Sequence, residues 1–212
     1  MFEIFLFVNP IGIYCYETEL LIKQAIDELN IDTCFNYIPI TNTKVIKEDI
    51  LRRRKEGQKL TDISKYTMAS FQTLRLYHAI KFEYGNKKAR AYLFELQQAL
   101  NINFNRYSEN LARKITKKLN IDFNKITSPK TNKYVDKSIK QDLELADKLG
   151  VRNTPTTIIY NESGNYNGIL LEGIVAHDRL IKVLKHDSCL IENFEEETKD
   201  CALRKTNHLR LI

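Results

Sequence analysis

The sequence predicts an α/β fold, with a central sheet of about four strands interrupted after its second strand by a long helical block. Three observations carry this. An apolar, aromatic-rich run opens the chain (Phe2, Ile4, Phe5, Leu6, Phe7, Val8), Asn9-Pro10-Ile11-Gly12 breaks it, and a segment of helical periodicity follows. Residues 67–149 then hold only Gly85 and Pro129 as breakers. Further on, two short apolar runs, Pro155–Tyr160 and Gly168–Glu172, flank the turn-forming Asn161-Glu162-Ser163-Gly164-Asn165, which signals a hairpin.

The opening run is short and bounded by Pro and Gly, so it reads as a buried strand. Leu20, Leu21, Ile22, Ala25, Ile26 and Leu29 recur at helical spacing, with Lys23, Gln24, Asp27 and Glu28 on the wet side, ending at Asn30-Ile31-Asp32. Thr33–Ile40 alternates, carries Phe35, Tyr37 and Ile38, and stops as a strand at Pro39. Two strands joined by one helix pair in parallel through a right-handed crossover. From Thr41 to Tyr66 the pattern weakens. The charged stretch Arg52–Gln58, followed by Lys59, reads as a solvated loop or a short exposed helix.

In the helical block, Met68, Phe71, Leu74, Leu76, Tyr77 and Ile80 make one face, stopped by Gly85. Asn86 caps a second helix whose inner side includes Ala89, Tyr92, Leu93, Leu96 and Leu100. A third, from Ser108 to Leu119, is short and basic (Arg113, Lys114, Lys117, Lys118), and a fourth runs from Tyr134 to Leu149. His78, near the apolar face of the first, reads as a core histidine because no Asp, Glu or Cys stands at ligand spacing. After the hairpin, Leu180, Ile181, Val183 and Leu184 form a closing helix, and the polar tail beyond His186 reads as peripheral. The organisation expected is a sheet domain at residues 1–40 and 150–186, a connection and helical insertion at 41–149, and a tail at 187–212.

With 212 residues, 43% of them hydrophobic and 28% charged, the chain suits one cored domain carrying an insertion. It has no run of about 18 apolar residues, which argues against a membrane span. It opens with neither a basic n-region nor a cleavage site, which points to the cytoplasm. The net charge of +6 is dispersed apart from Arg52-Arg53-Arg54-Lys55 and accompanies no nucleic-acid-reading motif, so nucleic acid is not the expected main partner and an acidic protein partner fits at least as well. Four cysteines in a reducing compartment do not suggest a disulfide framework, and Cys34, in a strand, reads as a buried inert thiol. His186, Cys189, Cys201 and His208 could hold zinc, but their spacing is loose, so no metal and no cofactor are expected.

Cys15 stands where the Asn9–Tyr14 break turns into a helix, a position where the dipole and unpaired N–H groups stabilise a thiolate. Strand, Asn-Pro turn, then Gly12-Ile13-Tyr14-Cys15 resembles the Cys-x-x-Cys site of the thioredoxin-like disulfide oxidoreductases of the DsbA type. Gly150-Val151-Arg152-Asn153-Thr154-Pro155-Thr156-Thr157 resembles that fold's loop with a cis proline facing the active-site cysteines, and the two motifs occur in the right order. The resemblance covers roughly residues 2–185 and implies a thioredoxin-like fold with a DsbA-type helical insertion. Its closest form is the cytoplasmic DsbA-like branch of low-GC Gram-positive bacteria, which includes the YjbH/SpxH adaptors that deliver the regulator Spx to the ClpXP protease. It implies that Gly12 occupies the place of the attacking cysteine.

A dithiol cycle needs an attacking and a resolving thiol, and Gly12 removes the first. The edge implied to bind an extended peptide comprises Pro10, Gly12, Ile13, Tyr14, Tyr16, Thr154 and Pro155, with Tyr14 and Tyr16 as an exposed aromatic rim. The leading expectation is therefore a protein-binding adaptor with a protein or peptide partner such as an Spx-like regulator. The alternative is a thiol-disulfide oxidoreductase or isomerase using Cys15 alone, which requires that thiol to be accessible and acidic.

Overall fold

A computed structural model of the chain describes residues 1–58, 60, 62–101, 106–161, 168–185 and 209–211. The element order is β1 (Phe2–Val8), α1 (Cys15–Leu29), β2 (Thr33–Pro39), α2 (Thr43–Lys55), α3 (Ile63–Tyr84), α4 (Asn86–Asn101), α5 (Glu109–Lys118), α6 (Phe123–Ile126), α7 (Pro129–Lys148), β3 (Thr156–Asn161), β4 (Ile169–Glu172), α8 (His177–Leu184) and β5 (Leu209–Leu211). This is the predicted thioredoxin-like architecture, with a helical insertion between the second and third strands. The strands lie in the order β2-β1-β3-β4-β5.

Phe2 N donates to Asp32 O at 3.0 Å and Ile40 N donates to Val8 O at 2.9 Å. The bonds join start to start and end to end, so β1 and β2 are parallel and α1 is their crossover. β3 pairs antiparallel with β4, Thr156 opposite Glu172 and Ile159 opposite Ile169. The tail adds one strand more than expected: β5 pairs antiparallel with β4, Leu171 opposite Leu209. An open strand edge presents unpaired N–H and C=O groups, and the chain's own end meets them here. The predicted turn at 161–165 falls, from residue 162 on, outside the described residues.

The chain divides into two compact units. The first comprises Met1–Leu6, Glu17–Asn36 and Pro155–Ile212; the second comprises Phe7–Tyr16 and Tyr37–Thr154. In the first, Ile4, Leu6, Ile22, Ala25, Ile158, Leu170, Leu171, Val175 and Leu180 are buried. Phe5 meets Tyr160 edge to face at 5.8 Å between ring centroids. Cys34 is exposed rather than buried, because it lies near the start of β2, where Thr33, Phe35 and Asn36 are only half-buried and full burial begins at Tyr37.

In the second unit α3 packs against α4 and α7, around Leu74, Tyr77, Ile80, Tyr92, Leu93 and Leu96. Here the structure corrects the sequence reading in three places. The stretch 43–55 is a 13-residue helix, capped by Asn42, whose side chain accepts from Val45 N, and it buries Val45, Ile46, Asp49, Ile50 and Arg53. Met68 and Phe71 are exposed, and the inner side of α3 is Tyr66, Ala69, Ser70, Thr73, Leu74 and Tyr77 onward. The fourth large helix starts at Pro129, capped by the Ser128 side chain, earlier than Tyr134.

His78 is a core residue as read, 1% exposed. Its Nδ1 lies 2.9 Å from Ser138 Oγ and its Nε2 3.7 Å from Asp142 Oδ2, a carboxylate that helix packing, not sequence spacing, supplies. Burial, helped by the Lys81 charge, pulls His78 down to about 3. Its unfolded value is higher, so the unfolded chain takes up a proton first, and stability is lost as pH falls from about 6.5. Burial raises Asp142, which acts in the opposite sense at the acid end, so the window to read is pH 6.5 to 5. Urea denaturation across that window should show stability falling by about 1 kcal/mol per pH unit. His78→Gln should remove most of that slope.

Candidate functional site

The break after β1 hands Cys15 to the first turn of α1. The thiol is 1% exposed. Desolvation is the main cause that drives it up to about 12, and the charge of Asp49 adds to it; the Asn9 backbone, Arg52 and Arg53 pull the other way without prevailing. A helix start lowers a thiol only where it remains solvated enough for the dipole to outweigh burial. At neutral pH Cys15 is a neutral, shielded thiol.

The loop 9–14 is held by α2. Asp49, buried, accepts from Ile13 N at 2.9 Å and pairs with Arg53 Nε at 2.8 Å. The Tyr66 hydroxyl donates to the same Asp49 carboxylate. Arg53 in turn donates to the Ile11 carbonyl at 2.6 Å and to Gln58 Oε1 at 2.9 Å, and its guanidinium lies 5.3 Å from the Tyr66 ring centre. From α4, Gln97 Nε2 donates to the Asn9 and Pro10 carbonyls at 3.4 and 3.2 Å, and Asn101 Nδ2 to the Gly12 carbonyl at 3.4 Å. Most of the turn's main chain is therefore bonded to side chains, as a buried irregular segment requires.

One turn of α2 also reaches the second motif. Arg52 donates to the Thr154 carbonyl, and its guanidinium stands 5.8 Å from the centre of the Tyr14 ring. Tyr14 donates its hydroxyl to Glu56 Oε1 at 2.6 Å, and burial with that bond raises it to about 12. Arg52 thus joins two of the predicted residues, Tyr14 and Thr154. Of the others, Ile13 is half-buried, while Pro10, Gly12 and Tyr16 are buried. Tyr16 is no part of an exposed rim: its ring packs on Phe94 at 4.9 Å. Pro155 lies in the first unit, where its carbonyl accepts from Gly173 N at 2.8 Å.

At Gly12 a Cβ would stand 2.7 Å from Cys15 Sγ, 3.0 Å from Asn9 Cβ and 3.3 Å from Asn9 O. A side chain at position 12 would therefore either bond to the Cys15 sulfur or displace it. No group of three or more His, Cys, Asp or Glu able to hold a metal occurs among the described residues. His186, Cys189, Cys201 and His208 lie outside them.

The sequence reading missed Asp49, Arg52, Arg53, Glu56, Tyr66, Gln97 and Asn101. The one signal available was local: Asp49 and Arg53 stand four apart beside Val45, Ile46 and Ile50, the spacing of one helix face. Removing one partner of a buried pair leaves an uncompensated charge, so Asp49→Ala should destabilise the protein by about 3 kcal/mol or more in urea denaturation. The Asp49→Ala/Arg53→Ala double variant should cost about 1 kcal/mol or more less than the two single changes added together.

The family model described as thioredoxin matches residues 5–182. Solved structures agree in fold. A thioredoxin-like oxidoreductase from Silicibacter pomeroyi DSS-3 superposes with a TM-score of 0.58 at 15% identity, over 88% of this chain and 86% of that one. The thiol-disulfide exchange protein α-DsbA2 from Wolbachia pipientis gives 0.56 at 19%, over 87% and 80%. The cytosolic disulfide reductase DsbM from Pseudomonas aeruginosa gives 0.56 at 13%, over 89% and 99%. No curated protein matches the sequence. The strand order, the helical insertion and a family match over residues 5–182 lead to one conclusion: the chain belongs to the thioredoxin family.

Proposed function

We propose that this chain is a redox-silent member of the thioredoxin family that binds a segment of a protein partner at the loop 10–14, where Ile13 and Tyr14 are half-buried and the residues around them buried, acting as a cytoplasmic adaptor of the kind that presents a regulator to a protease. The observation that carries the reading is Cys15, 1% exposed and raised to about 12 by burial. A thiol-disulfide exchange enzyme needs an accessible thiolate. Gly12 stands for the attacking cysteine lost from the pair. Its geometry fits that origin: in a disulfide the S–S bond of about 2.05 Å places each Cβ roughly 3 Å from the opposite sulfur. The Cβ position of residue 12 is 2.7 Å from Cys15 Sγ.

The names of the similar structures, an oxidoreductase and a disulfide reductase among them, favour a second reading in which Cys15 works alone. The burial of its sulfur opposes it. Both readings meet one experiment, because exposed Cys34 is an internal reference. With iodoacetamide at pH 7.5 and peptide mapping, Cys15 should alkylate at least about 100-fold more slowly than Cys34, and the chain should not reduce insulin. Equal alkylation, or insulin turnover, defeats the redox-silent reading. Gly12→Cys, mildly oxidised, should form a disulfide with Cys15 that mass spectrometry detects. For the adaptor role, Spx-like substrate degradation by ClpXP should accelerate when this protein is added.

A further inference from the structure

A cavity of about 280 Å³ opens in the second unit beside the loop that carries Ile11. Its walls are Ile11, Leu60, Ala69 and Leu100 with the rings of Tyr66 and Tyr107, and Arg53 closes its floor. The floor is electrically settled, since Arg53 is 8% exposed and paired with Asp49. The mouth is different. Lys65 and Arg106 are exposed there, and the one lining carboxylate among the described residues, Asp62, is engaged in capping α3 by accepting from Lys65 N at 2.9 Å. The Lys65 ammonium stands 3.4 Å from that carboxylate, an exposed pair that solvent screens, and Arg106 makes no ion pair among the described residues. An apolar interior below a mouth with surplus positive charge selects a ligand with the opposite arrangement.

From this we infer that the cavity is an anchor pocket for one aromatic or large aliphatic side chain set within an acidic stretch of a protein partner. The volume of about 280 Å³ lies just below the range of ligand pockets, roughly 300–1,000 Å³, which suits a single side chain better than a cofactor. Interfaces gain most from one buried anchor ringed by polar contacts. The chain's net charge of +6 draws acidic segments toward it. The inference rests on the protein-binding reading above and names the chemistry of the partner.

The test uses the full chain and 1-anilinonaphthalene-8-sulfonate, an aromatic body with an anionic group, read by fluorescence. Saturable binding is expected, weakened about 10-fold in Leu100→Trp, which fills the wall, and about 3-fold in Arg106→Glu, which reverses the mouth. Arg106 is exposed, so this second variant remains informative should Leu100→Trp fail to fold. The peptide acetyl-Asp-Glu-Phe-Glu-Asp-amide should displace the dye, and acetyl-Lys-Lys-Phe-Lys-Lys-amide should not. Unchanged dye affinity in the folded variants, or equal displacement by both peptides, overturns the assignment. The outcome separates from that at Cys15: a reactive Cys15 defeats the redox-silent reading and leaves the dye result standing, while an inert Cys15 with no dye binding defeats the pocket alone.

Discussion

The carboxylate of Asp49 is the point on which the second unit's loop depends. It takes bonds from the Ile13 amide, the Arg53 guanidinium and the Tyr66 hydroxyl, three donors from three different parts of the chain. A buried charge is tolerable only when its lone pairs are used and an opposite charge is near, and both conditions hold here. Through Arg53 the same pair supports the Ile11 carbonyl and closes the floor of the neighbouring cavity. The segment between β1 and α1 is irregular backbone without a regular ladder of its own, so these side-chain bonds set its path.

That arrangement also decides the state of Cys15. A helix start offers a thiolate about 0.3–1 kcal/mol at an exposed position. Removing the sulfur from water works against the charged form by several times that amount. Asp49 stands close enough to add a repulsive negative charge, while the Asn9 backbone, Arg52 and Arg53 act against it. Burial, before any neighbouring charge, therefore holds the thiol neutral. An oxidoreductase requires the reverse balance, an accessible sulfur in a positive field.

The strands, the crossover helix, the insertion and the closing helix were legible because each has a clear apolar period and a breaker at its end. Helix α2 was not, since its inward face mixes Val45, Ile46 and Ile50 with Asp49 and Arg53, and a reading by hydrophobic period counts the last two as surface. Met68 and Phe71 read as inward for the converse reason: they are apolar, but α4 and α7 cover a different side of α3. The single-residue exposures of Tyr16 and Cys34 followed neighbours distant in sequence, or how much of a strand is covered, which no local pattern specifies.

Taken alone, the sequence determined the order and kind of the secondary structure apart from α2, α6 and β5, the parallel pairing of the first two strands and the place of Cys15 at a helix start. These follow from local periodicity, turn chemistry and chain connectivity. Only the tertiary structure decided that Arg52 reaches both Tyr14 and the Thr154 carbonyl, and that Asp49 and Arg53 are buried together under the loop. It also decided that Cys15 is shielded. Burial and pairing depend on which surfaces meet in space, and it is burial that sets the charge of a thiol or a carboxylate.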